Sequence, residues 1–359
     1  MSEFIGVVGA GTMGLGIARL CAQSGCSVLL HDSRPEALSS AQERLAKGLE
    51  SAVRAGRLDA EVAERARRSV RTARGLVEFK DADFIFEAVS EDLALKQALF
   101  RDLDALLPER AVLATNTSSF SVQAVSERLL RPDRVLGLHF FNPPYAMKLV
   151  EVVRSTKTSD RAFRKAWDLA LALGRLPVEA KDTPGFIVNR VIRPFYLESQ
   201  RAAAEGWGAY SAFDAALRAV EKLPMGPFEL MDLIGLDVNL AISRSIHEAL
   251  GRPARLEPNP IQERLVSMGQ LGRKSGRGFY LYESGKPAGE NPDACALLPL
   301  GSRIQLPQAI CRRVMGAVAR EAQAALEEGV ASREAIDMAV RMAMNFPKGP
   351  FEWRAAEGG

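Results

Sequence analysis

A glycine loop set between two apolar segments restricts this chain more than any other feature of its 359 residues. Phe4 to Val8 reads as a short buried strand, Gly9-Ala-Gly-Thr-Met-Gly14 follows at once, and an apolar run with helical spacing continues to Ser24. The three glycines differ in what they permit. The first allows a tight turn, the second lets backbone approach a pyrophosphate, and the third lets helix and strand pack closely. The start of the helix then offers N–H groups to phosphate oxygens. Alone, the G-x-G-x-x-G pattern is a weak signal. Its context strengthens it, because a second strand, Ser27 to His31, ends in Asp32, where a carboxylate can hold ribose hydroxyls. Dinucleotide binding through Gly9, Gly11, Thr12, Met13, Gly14 and Asp32 is expected. Asp32 repels a 2′-phosphate, which favours NAD over NADP, although Arg34 stands nearby.

A chain of this length exceeds most single cores, so two or three domains are expected. No apolar run approaches the ~18 residues of a membrane span. The N-terminus passes directly into a strand and leaves no room for a signal peptide, so a cytoplasmic protein without a membrane partner is expected. The four cysteines, Cys21, Cys26, Cys295 and Cys311, lack C-x-x-C spacing, and only three histidines accompany them, so no metal is expected. A net charge of +3 is dispersed without a basic run or interleaved aromatics, which argues against nucleic acid as a partner.

Further along, Pro35 to Ala55 and Asp59 to Val70 read as two charged helices joined by Gly56-Arg57-Leu58. The pair is longer than a minimal crossover and is expected to project from the nucleotide-binding domain. Asp83 to Val89 reads as a buried strand and Leu93 to Leu107 as the helix after it. Glu91 and Lys96 fall between them, at the sheet edge where ligands of open parallel sheets bind. A helix-start carboxylate beside a solvated lysine explains the same pair without a ligand. Ala111 to Thr115 is the next strand, running into Asn116-Thr-Ser-Ser119, whose hydroxyls can cap a helix or meet a ligand.

Gly137-Leu-His-Phe-Phe-Asn-Pro-Pro-Tyr-Ala-Met-Lys-Leu-Val-Glu-Val-Val153 then reads as strand, turn and returning strand, which can bring His139 to Glu151. An imidazole backed by a carboxylate is an oriented general base whose charged form is stabilised. A core histidine beside a surface glutamate is the plainer alternative.

These phrases, with Lys181-Asp-Thr-Pro-Gly-Phe-Ile-Val-Asn-Arg190, Met225-Gly-Pro-Phe-Glu-Leu-Met-Asp232 and Leu271-Gly-Arg-Lys-Ser-Gly-Arg-Gly-Phe-Tyr280, resemble the L-3-hydroxyacyl-CoA dehydrogenase family. They fall in the family's order and cover residues 1 to about 282. The resemblance implies His139 as catalytic base, Glu151 as its partner, and Ser118 and Asn189 as donors to the reacting substrate. It implies Glu91, Lys96, Ser118, Asn142 and Lys274 at the cofactor site. It also implies an acyl-CoA substrate, short-chain or dicarboxylic, such as 3-hydroxybutyryl-CoA or the 3-hydroxyadipyl-CoA of phenylacetate breakdown. Relatives that act without CoA, such as L-gulonate or carnitine dehydrogenases, tend to lose the aromatic pair and the Met-Lys present here as Phe140-Phe141 and Met147-Lys148. A non-catalytic NAD-binding protein of the same fold is a third reading, opposed by the presence of all four catalytic candidates.

Beyond Gly185 the pattern turns helical, and it repeats. Residues 308–353 match 185–230 without a gap at an offset of 123: Glu205-Gly206 with Glu328-Gly329, Asp214 with Asp337, Pro224-Met-Gly-Pro-Phe-Glu229 with Pro347-Lys-Gly-Pro-Phe-Glu352. Asn189 has Arg312 as its counterpart, so the scaffold is repeated and the proposed substrate contact is not. The expected fold is an α/β Rossmann-type N-terminal domain (1–183) with a projecting helical pair, an all-α domain (184–283), a linker (284–300) and a second, partial all-α copy (301–359). Because the family dimerises through its helical domain, either a homodimer or a monomer with an internal pseudo-dimer is expected.

Overall fold

The computed structural model describes residues 3–299 and 305–356. Leu300, which ends the expected linker, and both ends of the expected second copy, 301–304 and 357–359, lie outside the described residues. The chain divides into two compact units, Met1–Thr183 and Pro184–Gly359.

Among the described residues of the first unit, eight strands form one sheet: β1 (Phe4–Val8), β2 (Ser27–His31), β3 (Val70–Thr72), β4 (Phe84–Glu87), β5 (Val112–Thr115), β6 (Val135–Phe140), β7 (Leu149–Arg154) and β8 (Leu176–Lys181). Their spatial order is β3-β2-β1-β4-β5-β6-β7-β8. Strands β1 to β6 run parallel, so each connection must cross the sheet. Helices α1 (Thr12–Gln23), α2 (Pro35–Arg54), α3 (Ala60–Ser69), α4 (Leu93–Leu106) and α5 (Val122–Ser126) lie on these crossovers. Strand β7 returns antiparallel to β6, and α6 (Asp160–Ala172) leads to β8, parallel to β7. The central strands read as continuous apolar runs because helices cover the sheet and every residue of β4 and β5 is buried.

Two sequence expectations change here. The helices expected to project do not stand free: Ala41, Leu45 and Leu49 of α2 and Ala63 and Ala66 of α3 are buried in the same apolar cluster as Ile17, Ala18 and Cys21 of α1. The apolar stripe of α2 repeats every four residues, which gives it a face to pack. Val70, read as the end of a helix, starts the edge strand β3 beside β2. Asp59 caps α3 by accepting the Glu61 and Val62 amides.

The second unit begins with a tight turn, Gly185 and Phe186 both having positive φ. Its helices are α7 (Val188–Val191), α8 (Arg193–Ala204), α9 (Tyr210–Val220), α10 (Pro227–Ile234), α11 (Leu236–Ala249), α12 (Pro260–Ser267), α13 (Pro292–Cys295), α14 (Pro307–Glu327), α15 (Arg333–Met344) and α16 (Pro350–Ala356). The first helical stretch beyond Gly185 is divided between α7 and α8, just before Pro194, which has no N–H to continue the ladder. The segment read as a linker instead holds β10 (Lys286–Glu290) and α13, and β10 forms a hairpin with β9 (Tyr280–Glu283), which ends the region read as all-α. Ser284 and Gly285 turn it with positive φ at both positions, the geometry that matches strand twist in a two-residue loop.

The repeated sequence builds repeated structure. Asp214 accepts the Phe228 and Glu229 amides at the start of α10, and Asp337 accepts the Phe351 amide at the start of α16. A Cβ on Gly226 or Gly349 would sit 2.1 or 2.2 Å from the respective carboxylate oxygen, so both copies need glycine there. The copies also exchange contacts reciprocally. Arg190 Nε donates to Glu321 and its two terminal nitrogens to Glu328, while Arg313 Nε donates to Glu198 and its terminal nitrogens to Glu205. Every one of these residues maps onto its counterpart by the same offset of 123. Such exchange is the signature of a two-fold, self-complementary interface, here formed within one chain.

Candidate active site

Parallel strands that end in step deliver their loops to one edge, and the register shows that they do. Val8 pairs with Glu87, Glu87 with Thr115, and Thr115 with Gly137. The glycine loop after β1, the segment 88–91 after β4, Asn116 to Ser119 after β5 and the end of β6 therefore share the C-terminal edge of the sheet.

A cavity of about 780 Å³ opens there, lined by Gly9, Gly11, Thr12, Met13, Asp32, Glu91, Lys96 and Ser118 among others. Gly14 is not in its wall; a Cβ there would lie 1.8 Å from the Gly9 carbonyl oxygen, so this glycine serves the close packing of helix on loop. No side chain caps α1 at Gly11, which leaves the first N–H groups of the helix for a ligand. Asp32 accepts the Ala10 amide at 2.9 Å and both the amide and Nε of Arg34 at 3.0 and 3.2 Å. Burial works to raise its carboxyl, but the Arg34 guanidinium and the two amides hold it below the usual carboxylate range. An anion thus stands where ribose hydroxyls need an acceptor, and Arg34 is engaged with it. A dinucleotide with a free ribose diol fits these residues.

Glu91 and Lys96 belong to a buried cluster. Lys96 is 1% exposed, not solvated, and its Nζ lies 2.7 Å from Glu87 and 3.1 Å from Glu91. Thr115 Oγ1 donates to Glu87, and Glu91 accepts from Thr117 Oγ1 and the Ser118 and Ser119 amides. Burial acts to raise the Glu91 carboxyl, and Lys96 and these donors bring it below its ordinary value. The cluster clamps the 117–119 loop against the start of α4. Sequence reasoning missed Glu87, though a carboxylate ending the apolar run Phe84-Ile-Phe-Glu87 requires a buried cation somewhere.

His139 and Glu151 are directly opposed in the antiparallel pairing of β6 and β7. Their side chains share a face, Nδ1 lies 2.6 Å from Oε2, and both residues are buried. A carboxylate only accepts, so the shared hydrogen sits on Nδ1. Asn116, read with its neighbours as a helix cap or ligand contact, lines the cavity and accepts the Phe140 amide through Oδ1 at 2.9 Å, tying the cavity to the strand that carries His139. Asn142 lies in the turn after β6 and lines a neighbouring groove with Thr12. Asn189 and Lys274 belong to the second unit: Asn189 is half-buried on α7, and Lys274 is paired with Asp237.

Comparison with known proteins decides the family. The model of the 3-hydroxyacyl-CoA dehydrogenase NAD-binding domain matches residues 4–183, and that of the family's C-terminal domain matches 185–282 and again 310–357. The chain belongs to the 3-hydroxyacyl-CoA dehydrogenase family. It is an NAD-dependent dehydrogenase, and the second C-terminal match falls on the internal copy. A 3-hydroxyadipyl-CoA dehydrogenase of Escherichia coli is 35% identical, over 99% of this chain and 91% of its own. A 3-hydroxybutyryl-CoA dehydrogenase of Mycobacterium tuberculosis is 39% identical over 98% of its own length but only 77% of this chain, leaving roughly a quarter of the dehydrogenase without counterpart. A solved structure of a 3-hydroxybutyryl-CoA dehydrogenase from Escherichia coli superposes with a TM-score of 0.91 at 35% identity, covering 100% of this chain and 92% of that one. Among the described residues no helix is long and apolar enough to cross a membrane.

Lys96→Met tests the buried cluster. It strands Glu87 in the sheet without a counter-charge and should cost about 3–5 kcal/mol, read from the urea midpoint, while weakening NADH binding as the 117–119 loop loosens. An unchanged midpoint would show that the cluster does not need its cation.

Proposed function

We propose that the dehydrogenase oxidises L-3-hydroxyacyl-CoA thioesters with His139 as general base, on a short-chain or dicarboxylic acyl group such as that of 3-hydroxybutyryl-CoA or 3-hydroxyadipyl-CoA. The 2.6 Å contact between His139 Nδ1 and Glu151 carries the catalytic assignment. A dicarboxylic substrate is supported by the Escherichia coli relative named for 3-hydroxyadipyl-CoA and a short-chain one by the Escherichia coli structure named for 3-hydroxybutyryl-CoA, which align with 99% and 100% of this chain and so share its two-copy layout.

In the oxidation, His139 Nε2 takes the proton of the C3 hydroxyl, the O–H electron pair becomes the second bond of the carbonyl, and hydride leaves C3. Bound NAD supplies the hydride acceptor. Glu151 keeps the imidazole in the tautomer and orientation that present Nε2, and it balances the charge the ring gains. Ser118 and Asn189 donate to the oxygen as it changes from alcohol to carbonyl. Glu91, Lys96, Asn142 and Lys274 complete the cofactor assignment, with the glycine loop at the pyrophosphate and Asp32 at the ribose.

The second helical copy, in this reading, stands in for the partner subunit of single-copy relatives. The reciprocal arginine–glutamate pairs support it, since one chain supplies both halves of a two-fold interface.

Two measurements test these assignments. His139→Gln should lower kcat for acetoacetyl-CoA reduction about 10²–10⁴-fold while NADH affinity stays within about twofold; equal loss of both would make the residue structural. A chain truncated after Ala296 exposes the faces of α8 and α9 that α14 covers and should dimerise in sedimentation equilibrium, whereas a well-folded monomer would end the pseudo-dimer reading.

A further inference from the structure

Helix α1 carries a cation that the protein does not neutralise. Arg19 is only 8% exposed, its Nε has no hydrogen-bond partner, and among the described residues no carboxylate pairs with it. Its electrostatic neighbours are Tyr145, whose ring centroid lies 3.9 Å from the guanidinium carbon, and Arg57, a second cation. A cation over an aromatic face recovers less than removing the charge from water costs. A buried guanidinium with spare donors and no anion is an incomplete ion pair.

The space beside it is built to admit a ligand. A groove of about 190 Å³ runs between α1, α2 and the turn joining β6 to β7, with Arg19, Arg44, Gly48, Asn142 and Tyr145 in its walls. A Cβ on Gly48 would stand 3.0 Å from Arg19 Nη1, so a larger residue there would crowd the guanidinium. Arg44 is fixed at the rim by its bond to the Ala10 carbonyl, 2.7 Å, and adds positive charge. Arg175 fastens the turn by donating to the carbonyls of Pro144 and Met147, which holds Tyr145 in place. This turn follows directly from the strand bearing His139.

We infer that Arg19 is a specificity-determining residue that receives an anionic group of the acyl-CoA substrate in the groove between α1, α2 and the β6–β7 turn. This rests on the acyl-CoA reading above and goes beyond it by naming the residue that reads substrate charge. Acyl-CoA thioesters carry two kinds of anion, the phosphates of the CoA moiety and, in dicarboxylic substrates, the distal carboxylate. Both complete the same ion pair with a guanidinium.

The test compares KM for three 3-keto substrates, acetoacetyl-CoA, 3-oxoadipyl-CoA and the phosphate-free acetoacetyl-N-acetylcysteamine, in wild type, Arg19→Gln and Arg19→Lys. Arg19→Gln should raise KM about ten- to a hundredfold for a substrate whose anion it has lost, with NADH affinity unchanged and Arg19→Lys recovering part of the loss. A rise for 3-oxoadipyl-CoA alone identifies the distal carboxylate; a rise for both CoA thioesters but not for the phosphate-free analogue identifies a CoA phosphate. Unchanged KM for both thioesters, an equal rise for all three substrates, weakened NADH binding, or failure of both variants to fold would overturn the assignment by making Arg19 a bystander or a structural cation. Wild-type enzyme inactive on every acyl-CoA would instead sink the acyl-CoA reading itself, before any variant is made.

Discussion

One reversal of strand direction organises the catalytic half of this molecule. Strands β1 to β6 run parallel and bring only loops to the shared edge, but β7 runs antiparallel to β6 and sets Glu151 across a backbone rung from His139. The remaining residues of the two strands hold that register. Leu136, Leu138 and Phe140 of β6 and Val150 and Val152 of β7 face one apolar cluster, and His139 and Glu151 project to the opposite side. A slip of one residue would turn Glu151 into that cluster and leave an uncompensated carboxylate there, so core packing enforces the placing of Glu151 against His139.

The rest of the site is tied to this rung by polar contacts through the sheet edge. Asn116 joins the loop after β5 to the Phe140 amide, and Glu91 holds the following loop while Lys96 joins Glu91 to Glu87 inside the sheet. Cofactor cavity and imidazole are thus parts of one frame. In the second unit the same economy appears as repetition, with a capping aspartate, a motif glycine and an arginine–glutamate set each used twice.

Much of this was legible in the sequence because it is local. The glycine loop, Asp32 and the strand–turn–strand carrying His139 and Glu151 each lie within a short stretch whose spacing determines the geometry. What escaped was set by contacts outside each residue's own element. Lys96 looks solvated until Glu87, nine residues earlier on the strand before its helix, is seen to bury with it, and Arg19 looks like an ordinary helical residue until Tyr145 closes over it. The hairpin at residues 280–290 was missed for another reason. Pro287 and Gly289 argue against a strand, and β10 tolerates them because it pairs on one side only, with a register shift between them. The supposed projecting helices failed as an expectation because their charged faces are conspicuous in sequence while the packing face of α3 is made of alanines.

In the proposed mechanism Glu151 makes His139 a competent base. Stopped-flow measurement of hydride transfer, with Glu151→Gln saturated in NAD and 3-hydroxyacyl-CoA, isolates that step from binding and release. The account predicts a rate about a hundredfold or more below wild type with NAD affinity unchanged, since an amide can hold the ring but not balance its charge. Hydride transfer at the wild-type rate would contradict it.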